Sequence, residues 1–277
     1  MEEELNFRMK VGQIMLSAGE ALKKLPVALL RPEDMSRWAR ERYDHTSKSW
    51  NEINNPDMGL IDDEMEIWKQ MILRRGEDHK DEVSSNRMLI LGGGGGREAI
   101  FFARAGWQVT VLDISEGMIT EAIAVADARH LTIQTVQSDL ATVEAQRNAF
   151  NIVWTSMFLY SLVLGRDRRV AMLRRIKQTM VANGYLVISF HFDPQAQYSA
   201  HIDRLCRAVA LLTVGNKGYQ NGDILFGTLE FRHAFASEAE LRSELAESGL
   251  TLADLRIFHE GLRGSALLVK TSGGDVH

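Results

Sequence analysis

From residue 88 onward the chain alternates short apolar runs with amphipathic stretches. Met88–Leu91 is a continuous apolar run that ends in glycines, as a strand covered on both faces of a parallel sheet does. Residues 97–105 have helical spacing, 108–112 read as a second strand, 116–129 as a helix and 132–137 as a third strand. A fourth strand over 150–155, a helix over 166–181 and a fifth strand over 185–190 continue the series. Within 166–181, Val170, Leu173, Ile176 and Met180 form an apolar stripe through a basic cluster, which predicts a surface helix with one solvated face. Strands alternating with helices predict an α/β fold, a parallel sheet with helices on both faces.

The two ends depart from this rhythm. Phe7, Val11, Ile14, Ala18, Leu22 and Leu25 recur at steps of three and four, predicting an amphipathic helix that stops near Pro26. A second helix includes Met35 and Trp38, and a third presents Ile61, Met65, Trp68 and Ile72 on one face. The polar stretch 76–82 reads as a linker. This divides the chain into an N-terminal helical segment, 1–85, that forms a lid, and a main domain, 86–277, with an insertion at about 194–233 that forms a wall of the substrate site. The insertion has a helix with Ile202, Leu205, Val209 and Leu212 in register, a glycine-containing loop over 215–222 and an extended stretch over 224–233. Ser237 opens a helix with Glu240 three residues later, a capping box. Strands at about 252–258 and 265–270, joined by a short turn, form a hairpin.

Composition narrows the classes. The 277 residues are 45% hydrophobic and 25% charged, ordinary values for a globular protein. No run of 18 apolar residues is present, and the acidic start Met1-Glu2-Glu3-Glu4 does not resemble a secretory signal, so a cytoplasmic protein without a membrane span is expected. The single cysteine, Cys206, excludes an internal disulfide and a cysteine-based zinc site. The net charge of −5 comes from residues 1–85, with 18 acidic and 13 basic side chains. The remainder has 19 of each, so nothing favours nucleic acid as a partner.

Gly92-Gly93-Gly94-Gly95-Gly96 follows the first strand and precedes its helix. Glycine lets the backbone turn tightly and approach a ligand, and the helix start beyond supplies free N–H groups. Asp113 ends the second strand, where a carboxylate accepts the hydroxyls of a ribose. The loop alone leaves the cofactor open: Gly94-Gly95-Gly96-Arg97-Glu98-Ala99 also satisfies the pattern G-x-G-x-x-A, so a NAD-dependent oxidoreductase is an alternative.

The next motif discriminates. Asp113-Ile114-Ser115-Glu116-Gly117-Met118 resembles the second motif, D-x-S-x-x-M, of the class I S-adenosylmethionine-dependent methyltransferase family. Ser138-Asp139-Leu140 after the third strand and the closing helix–strand–turn–strand pattern are similar to that family too. The resemblance implies a Rossmann-like seven-stranded sheet, mostly parallel with an antiparallel last strand, and S-adenosyl-L-methionine as cofactor, with S-adenosyl-L-homocysteine as product. It places Gly92, Gly93, Gly94 and Gly96 at the cofactor, with Asp113 on the ribose. Ile114 and Met118 then lie at the adenine, Asp139 and the Leu140 backbone N–H at the adenine edge, and Thr155 at the end of strand four. Many relatives carry an acidic residue two positions before the first glycine, acting near the methionine amino group; here Ile90 stands there.

The expected activity is transfer of a methyl group to an O or N atom of a small-molecule acceptor, an EC 2.1.1 type reaction. A non-catalytic protein that binds the cofactor for regulation is a further alternative. The donor is already activated, so alignment and exclusion of water are the main demands on the protein. Candidates for acid–base work are His191 at the end of strand five, Tyr160 after strand four and His233 at the end of the extended stretch. His191, Asp193, His201 and His233 match no metal-ligand spacing, so no metal is expected. Tyr43, Asp44 and Trp50 are the residues through which the N-terminal helices would cover the cofactor, an aromatic ring being favourable beside a sulfonium.

Overall fold

A computed structural model describes residues 25–78, 86–140, 142–226, 230–258 and 262–271. The helix expected over 7–25 lies almost wholly outside these residues, as does most of the linker after Gly76.

The central strands form where the apolar runs are. β1 (Arg87–Leu91) pairs in parallel with β2 (Gln108–Asp113) on one side and β4 (Phe150–Thr155) on the other. β3 (Gln134–Gln137) extends the sheet beyond β2. β5 (Met180–Phe192) lies next to β4, and β9 (Arg263–Val269) runs antiparallel between β5 and β8 (Thr251–Phe258). The spatial order β3-β2-β1-β4-β5-β9-β8 is thus parallel except for β9, the arrangement expected from the sequence.

Alternation along each strand separates two cores, because successive side chains point to opposite faces. Met88 and Ile90 pack with Phe102 of α3 (Arg97–Arg104), Trp154, and Ile67 and Met71 of α2 (Asp62–Asp78). Leu89 and Leu91 pack on the other face with Leu173 and Ile176 of α6 (Arg166–Thr179) and Leu241 of α8 (Glu238–Ala246). The remaining helices are α1 (Pro32–Ile53), α4 (Glu116–Asp127), the single turn α5 (Leu159–Leu162) and α7 (Ala200–Leu212).

Three expectations about helix faces are corrected. In α2 the buried positions are Glu64, Ile67 and Met71, whereas Ile72 is exposed. The face is rotated because Glu64 is drawn inward by Arg97, and that partner comes from another helix. In α7 the buried residues are Cys206 and Ala210, and Leu205 and Leu212 are exposed, so small side chains set its packing. In α6 the expected stripe is buried, but Arg169 within the basic cluster is also completely buried.

The extended stretch of the insertion is a hairpin, β6 (Asp223–Phe226) with β7 (Glu230–Phe235). β7 pairs with β5 only at His191–Ala234 and Phe192–Phe235, beyond the point where β4 stops pairing. The hairpin therefore rises past the C-terminal ends of the central strands and walls in the space above them. Among the described residues, no helix is long and apolar enough to cross a membrane.

Candidate functional site

The order of strands reverses between β1 and β4, and open α/β sheets bind ligands at the carboxyl ends around such a point. β1 delivers the glycine loop there. Gly92 N donates to Leu112 O at 2.7 Å, and Gly92 and Gly94 have φ of 64° and 49°. A Cβ on Gly92 would lie 2.5 Å from Leu159 Cδ1, and one on Gly93 would lie 2.6 Å from Val111 Cγ1. Close packing from below thus excludes side chains, and the bare backbone faces a cavity of about 250 Å³. Gly92→Ala combines a left-handed backbone with this clash and is expected to destabilise the protein by about 1–3 kcal/mol. A urea unfolding curve with an unchanged midpoint would contradict that reading of the loop.

Asp113 sits at the end of β2, only 7% exposed yet on the cavity wall. Its Oδ2 accepts Gly94 N and its Oδ1 accepts Ser115 N, both at 3.0 Å. Burial pushes the pKa of its carboxyl up, against the pull of these N–H groups. Ser115 caps α4 by accepting Met118 N at 3.0 Å, and its Oγ donates to Asp44 Oδ1 at 2.6 Å. Gly117 N donates to the same Asp44 oxygen at 3.1 Å. Asp44 therefore ties α1 to the start of α4, which brings α1 over the cavity.

The sequence candidates divide. Gly92, Gly93, Gly94, Asp113, Ile114, Met118, Asp139 and Leu140 all line the cavity. Gly96, Thr155, Tyr160, His191 and His233 are not among its lining residues. Gly96 is the left-handed N-cap of α3, packed on Ala122, and Thr155 Oγ1 accepts Ser189 N at 3.0 Å inside the sheet.

The three acid–base candidates lie outside the cavity lining, each in buried surroundings. The Tyr160 hydroxyl donates to Glu244, whose carboxylate also binds Arg169 Nε and Nη2 at 2.7 and 2.8 Å, all three residues being buried. His233 is buried with Nδ1 2.8 Å from Asp223 Oδ1 and Nε2 3.2 Å from Glu240 Oε1. Burial and Arg169 oppose its protonation, but the two carboxylates outweigh them and its pKa is raised. His191 is buried beneath Phe158, their rings 5.8 Å apart, and burial together with Arg232 lowers its pKa to about 4. Among the described residues, no group of three or more His, Cys, Asp or Glu is arranged to hold a metal.

Other residues line the cavity that sequence reasoning passed over. From β7 come Glu230, Phe231 and Arg232, and from α1 come Met35, Ala39, Arg42 and Asn51 beside the anticipated Tyr43 and Trp50. Glu230 Oε1 accepts the Tyr43 hydroxyl at 3.2 Å and Oε2 accepts Arg232 at 2.6 Å. Arg232 lies 4.4 Å from the centroid of the Phe158 ring. The spacing Met35–Ala39–Tyr43–Trp50 along α1 is a helical stripe visible in the sequence; β7 falls in the insertion expected to form a wall, but nothing local singles out Glu230, Phe231 and Arg232 within it. Glu98 and Arg97, at the start of α3, also line the cavity.

Residues 88–184 match a family model described as a methyltransferase domain. Over these residues the chain is similar to S-adenosylmethionine-dependent methyltransferases. A curated relative, the probable S-adenosyl-L-methionine-dependent methyltransferase TehB of Haemophilus influenzae, is 28% identical over 106 residues. That match covers 38% of this chain and spans 36% of the relative's length. Two solved structures share the methyltransferase fold. The magnesium protoporphyrin IX methyltransferase ChlM of Synechocystis, with bound SAH, has a TM-score of 0.55 at 17% identity, over 86% of this chain and 100% of that one. The [4+2]-cyclase SpnF has a TM-score of 0.56 at 14% identity, over 85% and 96%. At these identities the likeness is one of fold, and the two proteins' different names show that this fold does not by itself specify a reaction. The match covers β1 to the first part of β5, so α1, α2 and the β6–β7 hairpin lie outside it.

Proposed function

We propose that this protein uses S-adenosyl-L-methionine to methylate an O or N atom of a small, largely apolar acceptor, with α1 (Pro32–Ile53) acting as a lid. The observation that carries this is one continuous cavity lined by two kinds of wall. Residues at the ends of β1, β2 and β3 (Gly92–Gly95, Asp113, Ile114, Met118, Asp139 and Leu140) suit an adenosine. Residues after β4 and from α1 and β7 (Met35, Ala39, Met157, Phe158, Leu162, Val163 and Phe231) make an apolar chamber beside it.

The residues present fit such a cofactor on an independent observation. The side-chain amide of Asn51 is buried against Gly95 with neither polar atom hydrogen-bonded, a costly arrangement that a polar ligand end would relieve. When bound, the cofactor would supply an electrophilic methyl group. Asp113 would accept from the ribose, Asp139 and the Leu140 N–H would meet the adenine edge, and Trp50 and Tyr43, edge-to-face at 5.6 Å, would cover the site. Burial and then Glu230 raise the pKa of Tyr43, so its hydroxyl remains a donor. At the chamber end of the cavity, Glu230, which already receives Tyr43 and Arg232, would be the group to take a proton from an acceptor.

Thermal denaturation with S-adenosylhomocysteine, with NAD and with neither tests the cofactor. At about a hundredfold excess over Kd the product should add about 2.7 kcal/mol, a rise of about 5–10 °C for a protein of this size. Stabilisation by NAD alone would overturn the proposal. Turnover is tested by acceptor-dependent release of S-adenosylhomocysteine across a panel of phenols, amines and carboxylates. Binding without release across that panel would favour a regulatory protein instead.

A further inference from the structure

We propose that Glu98 holds the positively charged amino group at the amino-acid end of the cofactor, taking the place of the acidic residue absent at Ile90; this rests on the functional reading above. Glu98 is on the first turn of α3, 4% exposed, and lines the cavity. It belongs to a buried cluster with Arg97 and Glu64. Arg97 Nη1 and Nη2 donate to both oxygens of Glu64 at 2.7 and 2.8 Å, and Nη1 also donates to Gly59 O at 2.6 Å. Nη2 further reaches Glu98 Oε1 at 2.8 Å.

The Arg97–Glu64 pair is complete without Glu98. Glu64 has its bidentate partner, and its Oε2 additionally accepts Ile61 N at 3.0 Å. Glu98 adds a second carboxylate to one guanidinium, so that when ionised it leaves an excess negative charge in the buried wall of the cavity. Such a group is destabilising unless a cation meets it. Burial raises the pKa of Glu98, with Arg97 opposing and Glu64 reinforcing the rise. A side chain with no need to be acidic for packing, facing a cavity, implies that the cation arrives with the ligand.

Position selects which cation. The adenosine walls lie toward β2 and β3, so the far end of the ligand points across the glycine loop toward β1 and β4. There the wall is made by Glu98, Asn51 and Ser156. A zwitterionic amino-acid end needs an anion for its ammonium and a donor for its carboxylate. Glu98 supplies the first, and the unpartnered Asn51 amide supplies the second.

The test compares two nucleosides by calorimetry on the whole chain: S-adenosylhomocysteine, which has the amino-acid end, and 5′-methylthioadenosine, which lacks it. Glu98→Gln keeps the shape and removes the charge. It should weaken S-adenosylhomocysteine by about tenfold or more, the scale of a lost hydrogen bond to a charged group, and leave 5′-methylthioadenosine unchanged. Equal affinity of wild type and variant for S-adenosylhomocysteine would overturn the inference, as would equal weakening of both ligands. A measurement on the wild type needs no variant to fold: S-adenosylhomocysteine should bind about tenfold or more tightly than its analogue lacking the α-amino group. Equal binding of that pair would also overturn it. A wild-type chain that binds neither nucleoside would overturn the functional reading itself, and the inference with it.

Discussion

Asp113→Ala is expected to weaken S-adenosylhomocysteine binding by about 1.5–3 kcal/mol, about 10- to 150-fold in Kd, because it removes a carboxylate that would accept hydrogen bonds from the ribose. The loss has a second origin in this chain. The same carboxylate receives the Gly94 and Ser115 N–H groups, so its removal also frees the loop that faces the cavity. Asp113→Asn separates the two contributions, since its amide oxygen can still accept one of those N–H groups. It should lose less affinity than the alanine variant. Isothermal titration on both variants, with circular dichroism to verify folding, provides the measurement. An alanine variant that is folded and binds within about twofold of wild type would place the ribose elsewhere.

The largest effect on stability is expected at Glu244. Arg169 and Glu244 are completely buried, on α6 and α8, and join through two hydrogen bonds, with the Tyr160 hydroxyl on the same carboxylate and Gln220 Oε1 on Arg169 Nη2 at 2.8 Å. Glu244→Ala leaves a guanidinium buried without its counter-charge, which typically costs about 3–5 kcal/mol. Replacing both partners together, Arg169→Met with Glu244→Leu, should cost much less, since apolar side chains of similar volume avoid the desolvation of two ions. Chemical denaturation of the single and double variants decides this. A single variant within about 1 kcal/mol of wild type, or a double variant as unstable as the single, would show that the pair is not the unit that holds α6 to α8.

This network also shows what local spacing does not reveal about two of the acid–base candidates. Tyr160 and His233 were plausible because both lie close to strand ends in a fold that binds ligands there. Their partners, Glu244, Asp223 and Glu240, are 84, 10 and 7 residues away, and the longer of these pairings has no signature in local spacing. The same reason hid Glu98. Beside the glycine loop it reads as a residue of an amphipathic helix; only Glu64, brought in from α2, shows that one guanidinium is shared between two carboxylates.

The central sheet and the glycine-loop half of the cavity were legible from sequence because both are built from short-range patterns. Short stretches rich in apolar and β-branched residues set β1, β2 and β4, and the loop Gly92–Gly96, Asp113 and the Asp113–Met118 motif follow them along the chain. The antiparallel β9 was foreseen for the same reason, since its hairpin with β8 is a local unit. Which side chains of α1 and β7 line the rest of the cavity was decided only by the tertiary structure. Asp44 fastens α1 to α4 across 71 residues of chain, and β7 takes a place beside β5 that β4 has left vacant. Hydrophobic periodicity reports which side of an element is buried, and it carries no information about which distant element does the burying. The glycine loop and Asp113 therefore belong to what the sequence determined alone, whereas the chamber of Met35, Tyr43, Glu230 and Arg232 exists only once the chain has folded.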